Sequence, residues 1–417
     1  MKTVLARVIG LGSVALGSLF WPQTKSSAAT ECQPKTEDQL ELKLVQVLFR
    51  HGARTPLKSI PDILEAQWVP KLLAVPTHTH IDYVVTDLQG GPRPPAPVED
   101  SYRTNTLSGG TYPGQLTTVG MQQLYDLGMR LRARYIQEVP FLTPSYSPAE
   151  VYIRSTNIVR TIESAKCLVA GLFQQKQTGV VPILTSEAET EILYPNYHNC
   201  KLLRALSGHR WAESSKLPAI AKDLQGIQSA LGIPTQQQVD FILIRDDMVA
   251  RQTHGLACPS ELVNWRSVVE QRAVDMIYHV YEPSKRENLQ LCVGPLLHTV
   301  LSNMEEKVKG TSSEPNRKLF LYSVHDTTLM PCLMALGIFD MKWPPYAADI
   351  TLELLEHRTT KEAFIKVSYL GKEQHIPGCS AVTCPLSEFQ QAMSAYTLPL
   401  DRYKQCCEES KGFPSEL

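Results

Sequence analysis

The chain has 417 residues, 43% of them hydrophobic and 20% charged, and 41 Lys+Arg against 42 Asp+Glu give a net charge of −1. At roughly 150 residues per domain, this length allows two or three units or one α/β domain with a large insertion. The balanced charge argues against a nucleic-acid-binding protein, which would carry excess base, and against an acidic disordered chain.

Residues 1–30 read as a targeting presequence. Lys2, Arg7 and Lys25 precede the first acid, Glu31. The apolar run from Val8 to Phe20, about 13 residues, is short of the ~18–20 needed to span a bilayer. Two readings compete: a secretory signal cleaved near Ala28-Ala29, and an acid-poor mitochondrial presequence. No other stretch is apolar enough to cross a membrane, so no transmembrane segment is expected. From Glu31 onward there is no Asn-x-Ser/Thr sequon, which mildly disfavours a glycosylated secreted enzyme.

Leu42 to Phe49 is nearly all apolar and predicts a strand buried on both faces, ending in Arg50-His51-Gly52. Thr117 to Tyr135 places Val119, Leu124, Leu127 and Leu131 at helical spacing, with Thr117 as the cap. Val151 to Ile153 predicts a short strand, and Ser155-Thr156 a helix start. Val180 to Leu184, Phe241 to Ile244 and Leu319 to Val324 are further expected strands. Thr327 to Leu336 predicts a helix stopped by Gly337. Ile350 to Leu355 and Phe364 to Tyr369 suggest a strand pair, and 255 to 310 reads mostly helical. This alternation predicts an α/β fold: a central mixed sheet flanked by helices, with a smaller, mainly helical cap. The core is expected over 40–186 and 317–417, and the cap over 187–316. Residues 57–113, rich in Pro and Gly, read as an insertion too long for an ordinary connection.

The chemical signal is strongest at Arg50-His51-Gly52-Ala53-Arg54-Thr55-Pro56. Five fixed residue types, RHGxRxP, arise by chance in such a chain on the order of one time in ten thousand. A neutral His nitrogen can attack a phosphate monoester only if the phosphate's charge is neutralised. Arg does this with a planar fork that binds two oxygens. Gly52 is expected to let the backbone approach a ligand. Arg154-Ser155-Thr156, a strand end entering a helix, is a weaker anion-site signal. His325-Asp326 follows an apolar strand, and Asp326 suits either protonation of a leaving alkoxide or helix capping. Ligands of open α/β sheets bind beyond the carboxyl ends of the strands, so His51 and His325 could meet. The ten cysteines form no zinc pattern, and Cys379 and Cys384 could be bridged. His78 and His80 read as surface-loop residues, with no metal site expected.

Four segments together resemble the histidine acid phosphatases: RHGARTP at 50–56, GQLTTVGMQQLYDLG at 114–128, IRSTNIVRTIESA at 153–165 and SVHDTTLMPCLMALG at 323–337. The resemblance runs in order over about residues 42–405. It implies His51 as the nucleophile, with Arg50, Arg54, Arg154 and His325 as phosphate-binding residues and Asp326 as proton donor. Ala53 stands where many members have Asp, and Asn157 and Val159 depart from their STDxDR pattern. The resemblance further implies a monomeric hydrolase without cofactor or metal. Its expected substrate is a small phosphate monoester, lysophosphatidic acid, and its expected location is mitochondrial. Trp68, Leu72, Leu73, Val75, Tyr83, Val84 and Val85 of the insertion are then expected to line an apolar cleft. Two rivals stand beside this reading. One is a broad-specificity acid phosphatase or inositol-phosphate phosphatase. The other is an inactive phospholipid-binding protein, which should have lost His51 or Asp326.

Overall fold

A computed structural model describes residues 39–408, apart from 175, 178, 235, 236, 238 and 285. The expected presequence over 1–30 lies outside the described residues.

The first strand, β1 (Leu40–Arg50), is followed by the long 57–113 segment, which supplies β2 (Tyr83–Thr86) and α1 (Pro97–Tyr102). Then come α2 (Thr118–Arg132), β3 (Val151–Ser155), α3 (Val159–Phe173) and β4 (Val181–Leu184). Six helices follow: α4 (Lys201–Ser214), α5 (Pro218–Leu231), α6 (Phe241–Thr253), α7 (Ser260–Val263), α8 (Arg266–Tyr281) and α9 (Arg286–Lys309). The chain returns through β5 (Leu319–Val324), α10 (Asp326–Ala335), β6 (Asp349–His357), β7 (Ala363–Tyr369), β8 (Lys372–Gln374) and β9 (Thr383–Pro385). It closes with α11 (Leu386–Met393) and α12 (Leu400–Glu408).

The strands form one mixed sheet in the order β2-β4-β3-β5-β1-β6-β7-β8, with β9 also on β7. Pairing is parallel from β2 to β1 and antiparallel from β1 onward. The expected α/β class with a mixed central sheet is therefore correct.

Strand periodicity explains why β1 is apolar on both sides. Val45, Val47 and Phe49 face a core shared with α2 and α3. Leu44 and Leu48 face another core, shared with α4, α6, α8, α9 and α10. Successive side chains of a strand point to opposite faces, so two buried faces need a continuous apolar run. Gln46, on the helical face, is wholly buried and donates to the carbonyl of Val300 at 2.8 Å.

Three sequence expectations change. Phe241–Ile244 is the first turn of α6, not a strand. Asp240 caps it, accepting from the Leu243 N–H at 2.7 Å, and Phe241, Ile244 and Met248 form its buried stripe. A four-residue apolar run does not distinguish the two periods. The helix after β3 begins at Val159, not Ser155, which leaves Arg154 inside the strand. Gly52 serves helix packing rather than ligand approach: a Cβ there would lie 2.3 Å from the Gly120 carbonyl oxygen of α2.

Two disulfides staple the described chain. Cys379–Cys384 closes a short loop, and Cys200–Cys407 ties the start of α4 to α12.

Candidate active site

β1 and β5 are parallel neighbours, and Arg50 pairs with Val324 at their carboxyl ends. The residues that follow each strand therefore emerge together, His51 after Arg50 and His325 after Val324. Their ring centroids lie 5.5 Å apart. Both are almost fully buried.

The loop holding His51 is fixed from both sides. The Gly52 N–H donates to Ser164 Oγ at 3.2 Å, and the Ala53 N–H to Gln123 Oε1 at 2.9 Å. Thr117, the cap of α2, donates its hydroxyl to the Ala53 carbonyl at 3.1 Å. His51 Nδ1 lies 2.9 Å from the Gly52 carbonyl oxygen. A carbonyl can only accept, so Nδ1 carries the proton and Nε2 keeps its lone pair. Burial, with the charges of Arg160, Arg50 and Arg54, holds the His51 imidazole well below its ordinary 6.5. Burial and Arg160 do the same to His325, against the opposing pull of Asp326. Both imidazoles are thereby held toward their neutral form.

Arg50 is 2% exposed and spreads over the Tyr346 ring at 4.3 Å. Its Nη1 donates to the Pro344 carbonyl and its Nη2 to Asp326 Oδ2, both at 2.7 Å. Arg54 forms a bidentate pair with Asp246 of α6, at 2.8 and 3.2 Å. Burial opposes the Arg54 charge, but Asp246 outweighs it and holds Arg54 above its ordinary value.

Arg154 Nη2 is engaged by buried Glu191 at 3.2 Å, and the same Glu191 oxygen accepts the Ile192 and Leu193 N–H groups. Arg160, in the second position of α3, is the guanidinium that acts most strongly on both histidines. It is 5% exposed, lies 4.9 Å over the Tyr102 ring and bonds the Tyr102 hydroxyl. Its Nε and Nη1 have no hydrogen-bond partner in the protein, nor do Nε of Arg50, Arg54 and Arg154. Buried N–H donors normally find partners. Unpaired donors from three segments around one neutral histidine form an anion-binding pocket. Arg160 lies in the same IRSTNIVR stretch as Arg154, six positions further on, and no pattern in the sequence singled it out.

Asp326 opens α10, with His325 as its cap. Its Oδ1 accepts from the Thr327 N–H at 2.8 Å, and its Oδ2 from Trp343 Nε1 at 3.0 Å as well as from Arg50. Burial pushes this carboxyl up, but Arg50, Arg54, Trp343 and His325 outweigh it and hold it below the usual carboxylate range. In the free enzyme Asp326 is ionised, so a proton-donor role requires that a proton arrive with the substrate. His325 Nε2 contacts Thr156 Oγ1 at 3.0 Å.

A groove of about 270 Å³ opens beside Asp326 and Arg54. Its apolar wall comes from Leu57, Trp211, Ile242, Leu243, Ile277 and Trp343. The insertion contributes only its first residues, a departure from expectation. Trp68 is wholly buried in a small core with Leu107 and Ala250, and Tyr83, Val84 and Val85 are spent on the edge strand β2. Among the described residues no cluster of His, Cys, Asp and Glu could hold a metal ion. No described helix is long and apolar enough to cross a membrane.

A family model described as the histidine phosphatase superfamily (branch 2) matches residues 41–229 and 247–370. The chain belongs to this family. It is 45% identical to lysophosphatidic acid phosphatase type 6 of Homo sapiens over 98% of this chain and 94% of that one. It is 46% identical to the Bos taurus protein of the same name, over 92% and 90%. Prostatic acid phosphatase of Homo sapiens is 28% identical over 88% of each chain. Among solved structures, a Bifidobacterium longum multiple inositol polyphosphate phosphatase complex aligns with a TM-score of 0.58 at 11% identity, over 91% of this chain and 97% of that one. A Hafnia alvei phytase complex aligns at 0.56 and 16%, over 87% and 99%. These structural likenesses speak for the fold. The chain is a phosphatase of the histidine acid type. The stretch the family model skips, 230–246, carries Ile242 and Leu243 of the groove and Asp246.

Proposed function

We propose that the enzyme hydrolyses lysophosphatidic acid to monoacylglycerol and phosphate through a phosphohistidine on His51. The observation that carries this reading is the pairing of an arginine-ringed neutral imidazole with an apolar groove that begins at Asp326. The first would bind a phosphate monoester and attack it; the second suits a single acyl chain. The relatives named for lysophosphatidic acid support the same substrate.

In this account the phosphoryl oxygens are held by Arg50, Arg54, Arg154 and His325, with Arg160 adding its charge beside them. His51 Nε2 attacks phosphorus as the ester P–O bond breaks. Positive charge develops on the imidazole, and the Gly52 carbonyl, accepting from Nδ1–H, stabilises it. The substrate monoanion brings one proton, which reaches Asp326 once phosphate has taken up the arginine charge that kept the carboxyl ionised. Asp326 passes this proton to the leaving oxygen. Water then attacks the phosphohistidine, Asp326 accepts its proton, the P–N bond breaks and neutral His51 returns. Splitting one displacement into two is what the covalent intermediate contributes.

An inositol-phosphate substrate would call for basic residues along the groove. The groove has Lys58 and Arg245, the latter already paired with Glu270, and its remaining wall is largely apolar, which favours the lipid. A hydrolysis panel decides: lysophosphatidate of several chain lengths, phosphatidate, an aryl phosphate and phytate. The account expects kcat/KM to rise with chain length, and phytate to be poor. Faster turnover of phytate would overturn it.

We also propose that residues 1–30 direct the protein to mitochondria, on the acid-poor, sequon-free sequence. A reporter carrying this segment should colocalise with mitochondria; an endoplasmic reticulum pattern would refute it.

A further inference from the structure

We infer that Trp343 is a positioning residue that joins the tail groove to the proton donor, its ring forming groove wall and its indole N–H holding Asp326 Oδ2. This inference rests on the phosphatase reading above and deepens it.

The segment between α10 and β6 grips the Arg50–Asp326 ion pair at three points. Trp343 Nε1 donates to Asp326 Oδ2 at 3.0 Å. One residue on, the Pro344 carbonyl accepts from Arg50 Nη1 at 2.7 Å. Tyr346 lies flat against the Arg50 guanidinium at 4.3 Å. The carboxylate and the guanidinium are thus each tied to the same short stretch of chain.

The indole is suited to one protonation state. It donates and cannot accept. A proton on Asp326 Oδ2 has nowhere to go toward Trp343, so the contact favours the ionised carboxylate. The Thr327 N–H on Oδ1 and Arg50 on Oδ2 act in the same direction. The other groups around Asp326 are Arg54 beyond β1, His325 beside it, and Tyr281 of α8. Arg245 of α6 lies on the Trp343 ring at 4.5 Å and is paired with Glu270 of α8 at 2.7 Å. Asp246, next to Arg245, is committed to Arg54.

The ring also has a second neighbour. With Trp211, Ile242, Leu243 and Ile277 it lines the apolar wall, while Asp326 lies at the same groove. An acyl chain lying there touches the residue that aims the acid. Trp343 is 8% exposed, so its position is set by Arg245 on one side and by the groove. Tail binding then steadies the indole, and through it Asp326 Oδ2, where the leaving glyceryl oxygen must collect a proton. A short phosphate ester gains nothing from this link.

The test uses full-length Trp343→Phe and Trp343→Leu, each checked by thermal melting. Substrates are long-chain lysophosphatidate, glycerol phosphate and an aryl phosphate. Trp343→Phe keeps an aromatic wall and removes the N–H. The alkaline limb of kcat, which reports the acid in the substrate complex, should move up by ~1 pH unit on both alkyl phosphates. On the aryl ester, whose leaving group needs little proton, it should stay. In an Asp326→Asn background Trp343→Phe should produce no limb shift. Trp343→Leu should in addition raise KM for the long-chain substrate about 10-fold, and hardly change it for glycerol phosphate. An unmoved limb, with equal losses on all three substrates, would reduce Trp343 to a packing residue and overturn the inference. If wild type cleaves glycerol phosphate but not lysophosphatidate, the lipid reading fails by itself, and the limb on glycerol phosphate still decides the role of Trp343.

Discussion

The two ends of the site are built by opposite rules. At the phosphate end the charged side chains are buried and fixed by other segments, Arg50 by Pro344, Arg54 by Asp246 and Arg154 by Glu191, while further arginine donors stay unpaired. At the groove end, side chains from α4, α6 and α8 offer apolar surface with few fixed polar partners. The first end is a preorganised set of charges, where moving one group leaves another unpaired in a low-dielectric setting. The second end discriminates by area, which is graded. Losses at the phosphate end should therefore be steep and substrate-blind. Losses at the groove should be modest and chain-length dependent.

The largest effect is expected at the nucleophile. His51→Ala should lower kcat by roughly four orders of magnitude or more on every substrate, with the melting temperature little changed. Residual turnover near wild type would remove His51 from its role.

Next come two arginines six positions apart in sequence, Arg154 and Arg160. Arg160→Ala should lower kcat/KM about 10²–10³-fold, the scale of one lost charge-stabilising donor. Arg154→Ala should do the same and also destabilise the fold by about 3–5 kcal/mol, because Glu191 is left as a buried unpaired charge. Steady-state kinetics beside chemical denaturation reads both. Unchanged kinetics in Arg154→Ala would leave Arg154 a purely structural role.

At the groove, Ile277→Ala should raise KM for long-chain lysophosphatidate about 10-fold, worth the ~1–3 kcal/mol of a lost apolar contact. The aryl phosphate should not notice. An equal change on both substrates would mean that the groove does not hold the tail.

The smallest effect is a pH dependence of stability. His51 and His325 are held well below 6.5, so the unfolded chain binds more protons than the folded one as pH falls beneath that value. Stability should decline on acidification below ~6.5. Asp326, depressed from 3.8, adds to the loss only at lower pH, as its carboxylate is finally protonated. Inorganic phosphate should oppose the decline near pH 5, because the anion favours the charged imidazoles. Melting curves across pH 4–8, with and without phosphate, would reveal it; a flat profile would contradict the neutral histidines.

Much of the phosphate end was legible in the sequence, because strand ends place it. The runs before Arg50 and His325 read as buried strands, and their parallel pairing brings His51 and His325 together. What escaped depends on long-range packing. Asp246 meets Arg54 across 192 positions, and no local pattern marks it. Trp343 reaches Asp326 over a turn that only the fold closes. Asn157 and Ile158 remain outside the helix, which sets Arg160 in its first turn. There Asn157 bonds the Pro94 and Pro95 carbonyls, and Glu99 takes the Val159 N–H. The aromatic and aliphatic residues of the insertion suggested a cleft from composition alone. Composition does not say that Trp68 is needed as core or that Tyr83–Thr86 completes the sheet.

The most direct test of the account is to trap the covalent intermediate. Phosphorus-labelled lysophosphatidate is mixed with wild-type enzyme and with Asp326→Asn, quenched in alkali on the millisecond scale, and digested. The account predicts acid-labile, base-stable label on the peptide that contains His51, formed no later than the released monoacylglycerol, and absent from His51→Ala. Release of monoacylglycerol without label on that peptide at any time would contradict it, since water would then be attacking phosphorus directly.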